Sequence, residues 1–374
     1  MNKRMFLNTV AGLAILACGM TTAAWATDPD AALKDLATHV MSKGPNGEDP
    51  VAAATVTLTD EEIAKVKAMN ATAALVFHIG GNDWTRAQEA GLKSEFAKLG
   101  IEVIAVTDAG FKPEKQVADI ETVMAQKPSI IVSIPVDGVA TAGAYRAAAA
   151  AGAKLIFMDN IPSKFVAGKD YVSAVSADNY GNGVAAGHLM AKALGGKGKI
   201  GLVFHAADFF VTKQRYDGFK KTIADNYPDI KIIDEQGVGG PDFAGDAEKA
   251  AGAILTAHPD VQAIWAVWDT PAEGVMAAAR AAGRADDLII INQDLGENVA
   301  IEMAKGGMIK GLASQRPYEA GIVEARLGAY ALLGKAAPAY VALPAAPVTK
   351  ETLLDMWKSI YQAEATDKIK SSMK

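Results

Sequence analysis

Carboxylates, amides and flat aromatic rings recur in short clusters along this chain. They are Asn82, Asp83 and Trp84; Asp137 behind Pro135; Asp159 and Asn160; Asp208, Phe209 and Phe210 followed by Lys213; Phe243; Trp268 and Asp269; Asp294; and Gln315 with Arg316. Carboxylates and amides present fixed acceptors and donors to hydroxyl groups, while an aromatic face covers the apolar C–H side of a ring. Together these residue types suit a sugar or a sugar alcohol. Each also has a plainer use, because an Asp at a strand end commonly caps the next helix and an aromatic beside a strand commonly packs in the core.

Catalytic chemistry is poorly supplied. His39, His78, His188, His205 and His258 lack metal-ligand spacing. His78 and His205 end equivalent apolar runs and could face one another across a cleft between them, but polar packing at strand ends is the plainer account. Gly196-Lys197-Gly198-Lys199-Ile200-Gly201 has the letters of a dinucleotide loop but precedes a strand-like run, whereas such a loop must follow the strand and open a helix. We expect neither an enzyme nor a cofactor.

The elements that must position these clusters alternate between two periodicities. Short apolar runs read as buried parallel strands at 73–79, 102–106, 130–134 and 154–158, with helical patterns at 84–99, 114–125 and 138–151 between them. After Ser176-Ala177-Asp178-Asn179 the pattern restarts, with strands at 199–204, 230–234, 263–267 and 288–292 and helices at 213–226, 246–258 and 271–282. Leu-Val-Phe-His occurs in the first strand of both halves, at 75–78 and 202–205. The clusters then fall beyond the carboxyl ends of strands, where open α/β sheets bind ligands. A further strand at 308–314, a helix at 317–333 and an extended return at 340–343 close the pattern. If that helix joins the first half, the chain crosses between halves near Ala177, Gln315 and Pro344.

The order of these elements, the Asp-Asn after the first crossing, and the stretches AHPDVQAIWAVWD, INQD and GLASQRPYEAG resemble the periplasmic sugar-binding proteins of the ribose-binding type, substrate receptors of ABC importers. The resemblance runs over nearly everything after Ala71. It implies an α/β fold of two doubly wound, Rossmann-like lobes joined by a three-strand hinge, the type I periplasmic binding protein architecture. It implies a sugar or polyol as ligand, sandwiched by Trp84 and Phe243 from opposite lobes, with Asp159, Asp294 and Gln315 as polar partners. Ribose-binding relatives carry Arg at the places of Asn160 and Lys213, and Asn at the places of Ile134 and Trp268. These departures imply a ligand other than ribose: a different pentose, a deoxy sugar or a polyol. Asp159 and Asp294 among the candidates disfavour an anion, so the expected ligand is neutral.

Residues 1–26 are of another kind: Lys3 and Arg4, an apolar run from Met5 to Met20, then Ala24-Trp25-Ala26. This is the pattern of a cleavable signal peptide. A lipoprotein site at Cys18 fits less well, because Leu16 is bulky where small residues are usual. Cys18 is the only cysteine in the 374 residues, so the exported chain carries none. The formal net charge of −6 and the absence of a basic cluster argue against nucleic acid and anionic membranes as partners. Half of the residues are hydrophobic and 21% are charged, as in a folded globular protein.

The expected organisation is a signal peptide at 1–26, an extension at 27–71 with a short capped helix after Thr59, a first lobe from 72–176 plus 316–343, and a second from 177–315 plus 344–374. The chain is expected to be a periplasmic monomer whose partner is the importer's membrane permease. A receptor serving chemotaxis or a sensor protein is the alternative. The expected site comprises Asn82, Asp83, Trp84, Asp137, Asp159, Asn160, Phe209, Lys213, Phe243, Trp268, Asp269, Asp294 and Gln315.

Overall fold

The structure, a computed structural model, describes residues 27–373. The expected signal peptide and Cys18 lie outside them. Among the described residues no helix is long and apolar enough to cross a membrane.

Among the described residues thirteen strands form two sheets. They are β1 (Val51–Ala52), β2 (Thr72–Phe77), β3 (Glu102–Asp108), β4 (Ile130–Ser133), β5 (Lys154–Met158), β6 (Ser173–Ala177), β7 (Gly198–His205), β8 (Ile230–Val238), β9 (Ala263–Ala266), β10 (Ile289–Gln293), β11 (Ile309–Ser314), β12 (Tyr340–Leu343) and β13 (Ala346–Val348). The first sheet has the order β1-β12-β6-β5-β4-β2-β3 and the second β13-β11-β10-β9-β7-β8. The first is parallel throughout. In the second only β13 runs antiparallel, against β11. Parallel strands need helical crossovers that cover both faces, which is why β9 is apolar along its whole length, β4 is apolar up to its last residue Ser133, and both are fully buried.

The helices are α1 (Pro29–Leu36), α2 (Asp60–Ala68), α3 (Asp83–Lys98), α4 (Pro113–Met124), α5 (Ala142–Ala150), α6 (Asn179–Leu194), α7 (Phe210–Asn226), α8 (Phe243–Ala257), α9 (Asp269–Ala281), α10 (Glu297–Ala304), α11 (Pro317–Leu333), α12 (Leu353–Tyr361) and α13 (Asp367–Ser372). Helix α11 packs on α3 beside the first sheet, so the chain passes between sheets after β6, after β11 and after β12. Each sheet has its own apolar core: Leu75, Phe77, Leu92, Phe96 and Leu327 in the first lobe, Ile254, Ile264, Val275, Ile290 and Val299 in the second. Burying one such side chain contributes about 1.5–3 kcal/mol. Each lobe is thus a stiff body, and relative motion is left to the crossings.

The extension does more than precede the fold. Helix α1 packs on α6 of the second lobe, Thr27 donates to Asn226 at 2.7 Å, and Asp30 pairs with Lys192 at 2.6 Å. The chain then passes the first crossing, where Met41 and Ser42 bond to Asp178. It enters the first lobe by pairing β1 with β12 and by bracketing Tyr330 Oη between the N–H and C=O of Thr57. Thr59 and Glu62 form the expected capping box of α2. The extension is therefore a fourth connection between the lobes, beside the three read from the sequence.

Candidate functional site

The carboxyl ends of both sheets face one cleft, and the loops there enclose a cavity of about 180 Å³. An engineered apolar cavity of about 150 Å³ takes up benzene, so a ligand of one ring's size is accommodated. The lobes touch around it. Phe111 of the first lobe meets Phe243 of the second with ring centroids 5.6 Å apart, and the Glu297 N–H donates to Asp83 Oδ2 at 2.8 Å.

Of the residues expected from the sequence, Asn82, Trp84, Asp159, Phe209, Phe243, Trp268, Asp269, Asp294 and Gln315 line this cavity. Asp83, Asp137, Asn160 and Lys213 do not. Asp83 turns toward Arg86 and the N-terminus of α10. Asp137 is exposed and accepts from the N–H groups of Val139 and Ala140, at 2.8 and 2.7 Å, as a turn cap. Asn160 is buried behind the wall. Lys213 is on the solvent side of α7, paired with Asp217 at 2.6 Å. Two residues along a helix is more than half a turn, so Arg215 faces inward where Lys213 faces out.

Arg215 is the cation of the site, and its side chain is 2% exposed. Its NH1 and NH2 donate to Asp294 Oδ2 and Oδ1 at 2.9 and 3.3 Å, NH1 also to the Val267 carbonyl at 3.1 Å, and Nε to Asn179 Oδ1 at 3.0 Å. Gln315 Nε2 adds a bond to Asp294 Oδ1 at 3.0 Å. A buried charge is tolerable when it is paired and its remaining donors are satisfied, and Arg215 meets that condition for four of its five N–H groups.

Asp159 stands at the equivalent place in the first lobe. Its Oδ1 accepts from Ser176 Oγ at 2.6 Å. Burial raises its pKa to about 6 despite that hydrogen bond and the nearby Arg215. Asp269 accepts from the Thr270 N–H at 2.8 Å, and burial, with repulsion from Asp294, raises it to about 7. Both carboxyls line the cavity and, with up to four lone-pair positions each, retain acceptor capacity for a ligand. Three carboxylates against one guanidinium make the cavity hostile to anions and receptive to hydroxyl donors.

Asp159 follows β5 with φ 54° and Asp294 follows β10 with φ 63°; Phe111, also on the wall, has φ 57°. Asp adopts this left-handed conformation at modest cost, but Phe does so rarely. Such strain concentrates at sites where a side chain must be aimed.

The two imidazoles also line the cavity, one from each lobe. His78 meets Phe111 edge-on at 4.9 Å, and His205 meets Phe243 and Trp268 at 5.5 Å each. Burial lowers His78 to about 4 and lowers His205 as well, so both are neutral near pH 7. The repeated Leu-Val-Phe-His thus places an aromatic nitrogen base on each side of the cleft, a use the sequence reading set aside. Among the described residues no cluster of His, Cys, Asp and Glu is arranged to hold a metal.

Residues 73–336 match the family model of the periplasmic binding protein domain. The ribose import binding protein of Salmonella typhimurium is 28% identical over 224 residues, covering 59% of this chain and 71% of the relative. The D-apiose import binding protein of Actinobacillus succinogenes is 26% identical over 254 residues, 68% of this chain and 79% of that one. Among solved structures, an ABC sugar transporter subunit from Rhodobacter sphaeroides aligns with TM-score 0.65 and 29% identity over 75% of this chain and 98% of its own. An ABC transporter solute-binding protein from Agrobacterium vitis with bound allitol aligns with TM-score 0.67 and 25% identity, over 77% and 98%.

Proposed function

From the premise that this chain belongs to the periplasmic binding protein family, we propose that it holds a neutral monosaccharide or sugar alcohol between its lobes and delivers it to an ABC importer. It is a solute-binding protein and not an enzyme, as its relatives are. The observation that carries the ligand class is the cavity itself: Asp159 and Asp269 on its wall as acceptors, Asp294 held by Arg215 and Gln315, and aromatic walls from Trp84, Phe209, Phe243 and Trp268. Hydroxyls satisfy the carboxylates and amides, and rings cover the C–H faces. Relatives with ribose, apiose and allitol in their names or crystals span ring and open-chain forms, which supports a polyhydroxylated ligand without fixing its stereochemistry.

The permease as partner, the periplasm as location and residues 1–26 as a cleavable export signal belong to the same reading. Delivery to a permease requires that the lobes close on the ligand and open to release it, the hinge motion expected of this fold. A thermal-shift screen of the exported chain against pentoses, hexoses, polyols, amino acids and nucleosides tests the proposal, since a ligand bound to the native state raises its stability by mass action. A sugar or polyol is expected to give the largest rise. A rise from an amino acid or nucleoside alone, with no sugar or polyol responding, would overturn it.

A further inference from the structure

The carboxylates of the two lobes are joined by one buried amide. Asn179, the first residue of α6, is fully buried beside the first crossing. Its Nδ2 donates to Ser176 Oγ at 3.0 Å and to the Ala177 carbonyl at 3.2 Å, while its Oδ1 accepts from Arg215 Nε at 3.0 Å. Arginine can only donate, so the amide oxygen must face it and the NH2 must face Ser176. A serine hydroxyl has a single proton. Because Asn179 donates to Ser176 Oγ, that proton is left for Asp159 Oδ1, 2.6 Å away. On the other side, anchoring Nε leaves NH1 and NH2 of Arg215 aimed at Asp294.

The turn that presents Asn179 is itself clamped by the extension. Asp178, the N-cap of α6, is fully buried and takes the Gly181 N–H at 2.8 Å. The same carboxylate accepts the N–H groups of Met41 and Ser42, at 2.8 and 2.9 Å, and the Ser42 hydroxyl at 2.7 Å. Ser42 Oγ in turn accepts the Tyr180 N–H at 3.0 Å, completing the cap of α6 from a segment more than a hundred residues upstream. This segment lies outside the stretch matched by the family model.

We propose that Asn179 is a positioning residue that couples the cavity carboxylates of the two lobes across the first crossing, and that Ser42 and Asp178 lock the helix turn that carries it. The consequence for ligand binding rests on the function proposed above; the relay itself can be tested without a ligand.

The readout is the titration of the Asp159 carboxyl, followed by carbon-13 NMR of the ligand-free exported chain and assigned by its loss in Asp159→Asn. The groups facing Asp159 are Ser176, Arg215 and Asp294, with buried Glu324 and Tyr340 behind. Asn179→Ala frees the Ser176 proton to turn away, so the midpoint is expected to rise by about one pH unit. Ser176→Ala should raise it as much, and the double variant no further. Ser42→Ala should raise it less, and not at all in the Ser176→Ala background. A midpoint unchanged in Asn179→Ala that still unfolds cooperatively would overturn the proposal, as would a Ser42→Ala effect that persists without Ser176. The Ser42→Ala comparison also decides the matter if Asn179→Ala does not fold. If the midpoints move as expected but no sugar binds, the relay stands and the proposed function falls.

Discussion

Asp159 and Asp294 occupy matching places in the two lobes, each in a left-handed turn after a strand and each bonded through its N–H to a neighbouring strand. Of the cavity carboxyls, Asp159 and Asp269 are the two whose titration should make binding sensitive to pH. Asp159 and Asp269 are raised to about 6 and about 7, chiefly by burial. The native ligand-free chain therefore keeps protons that the unfolded chain releases above about pH 4, and its stability should fall as pH rises from about 4 to about 7. Hydroxyl donors favour the ionised carboxylate, so binding should release protons and tighten with rising pH, by at most about tenfold per pH unit for each carboxylate. Calorimetry near pH 6.5 in two buffers of different ionisation heat counts those protons; uptake, or no exchange, would contradict this reading. Asp159, Asp294 and Gln315 were legible in the sequence because they end strands. Arg215 was not, although a signal existed: Val211, Arg215 and Phe219 fall on one helical face, and that face is buried. Lys213, chosen instead, is on the opposite one.

At the level of elements, the alternation of apolar runs and helical patterns located most strands, because parallel strands covered on both faces carry a continuous apolar signature. Strand β6 and helix α6 escaped notice. Helix α6 contains Gly181, Gly183 and Gly187, each of which lowers helix propensity and weakens the helical signal. The structure gives the reason: a Cβ at Gly183 would stand 2.1 Å from the Arg215 carbonyl oxygen, and one at Gly218 of α7 would stand 2.3 Å from that of Tyr180. Glycine here serves close packing of α6 on α7, the same contact that brings Arg215 to Asn179. Asp83 belongs to this scale too. Helix α10 has Gly296 at its N-cap, with no side chain to bond the free N–H groups, and Asp83 from the other lobe supplies the acceptor. Loss of an N-cap costs about 0.5–2 kcal/mol. Because this cap bridges the lobes, Asp83→Ala should weaken ligand binding about twofold to thirtyfold, mainly through faster dissociation. Stopped-flow release measurements check it, and an unaltered dissociation rate would remove Asp83 from the closure contacts.

At the scale of the molecule, two stiff lobes share a cavity, three crossings and an extension that ties both lobes to Asp178. The two-lobed plan was legible because the strand pattern restarts after Asp178, and because Leu-Val-Phe-His marks the first strand of each half. The extension's role was not, since its anchors are single polar residues, such as Ser42 and Asn46, whose partners lie more than a hundred positions away. Ligand is expected to be held by closure of one lobe on the other. A ligand that contacts both lobes shifts the equilibrium toward the closed form by its preference for that form. Small-angle X-ray scattering of the exported chain, with and without a saturating concentration of the sugar or polyol that stabilises it most, measures this directly. The bound state should have a smaller radius of gyration; profiles that superimpose, while calorimetry shows the site filled, would rule out closure on the ligand.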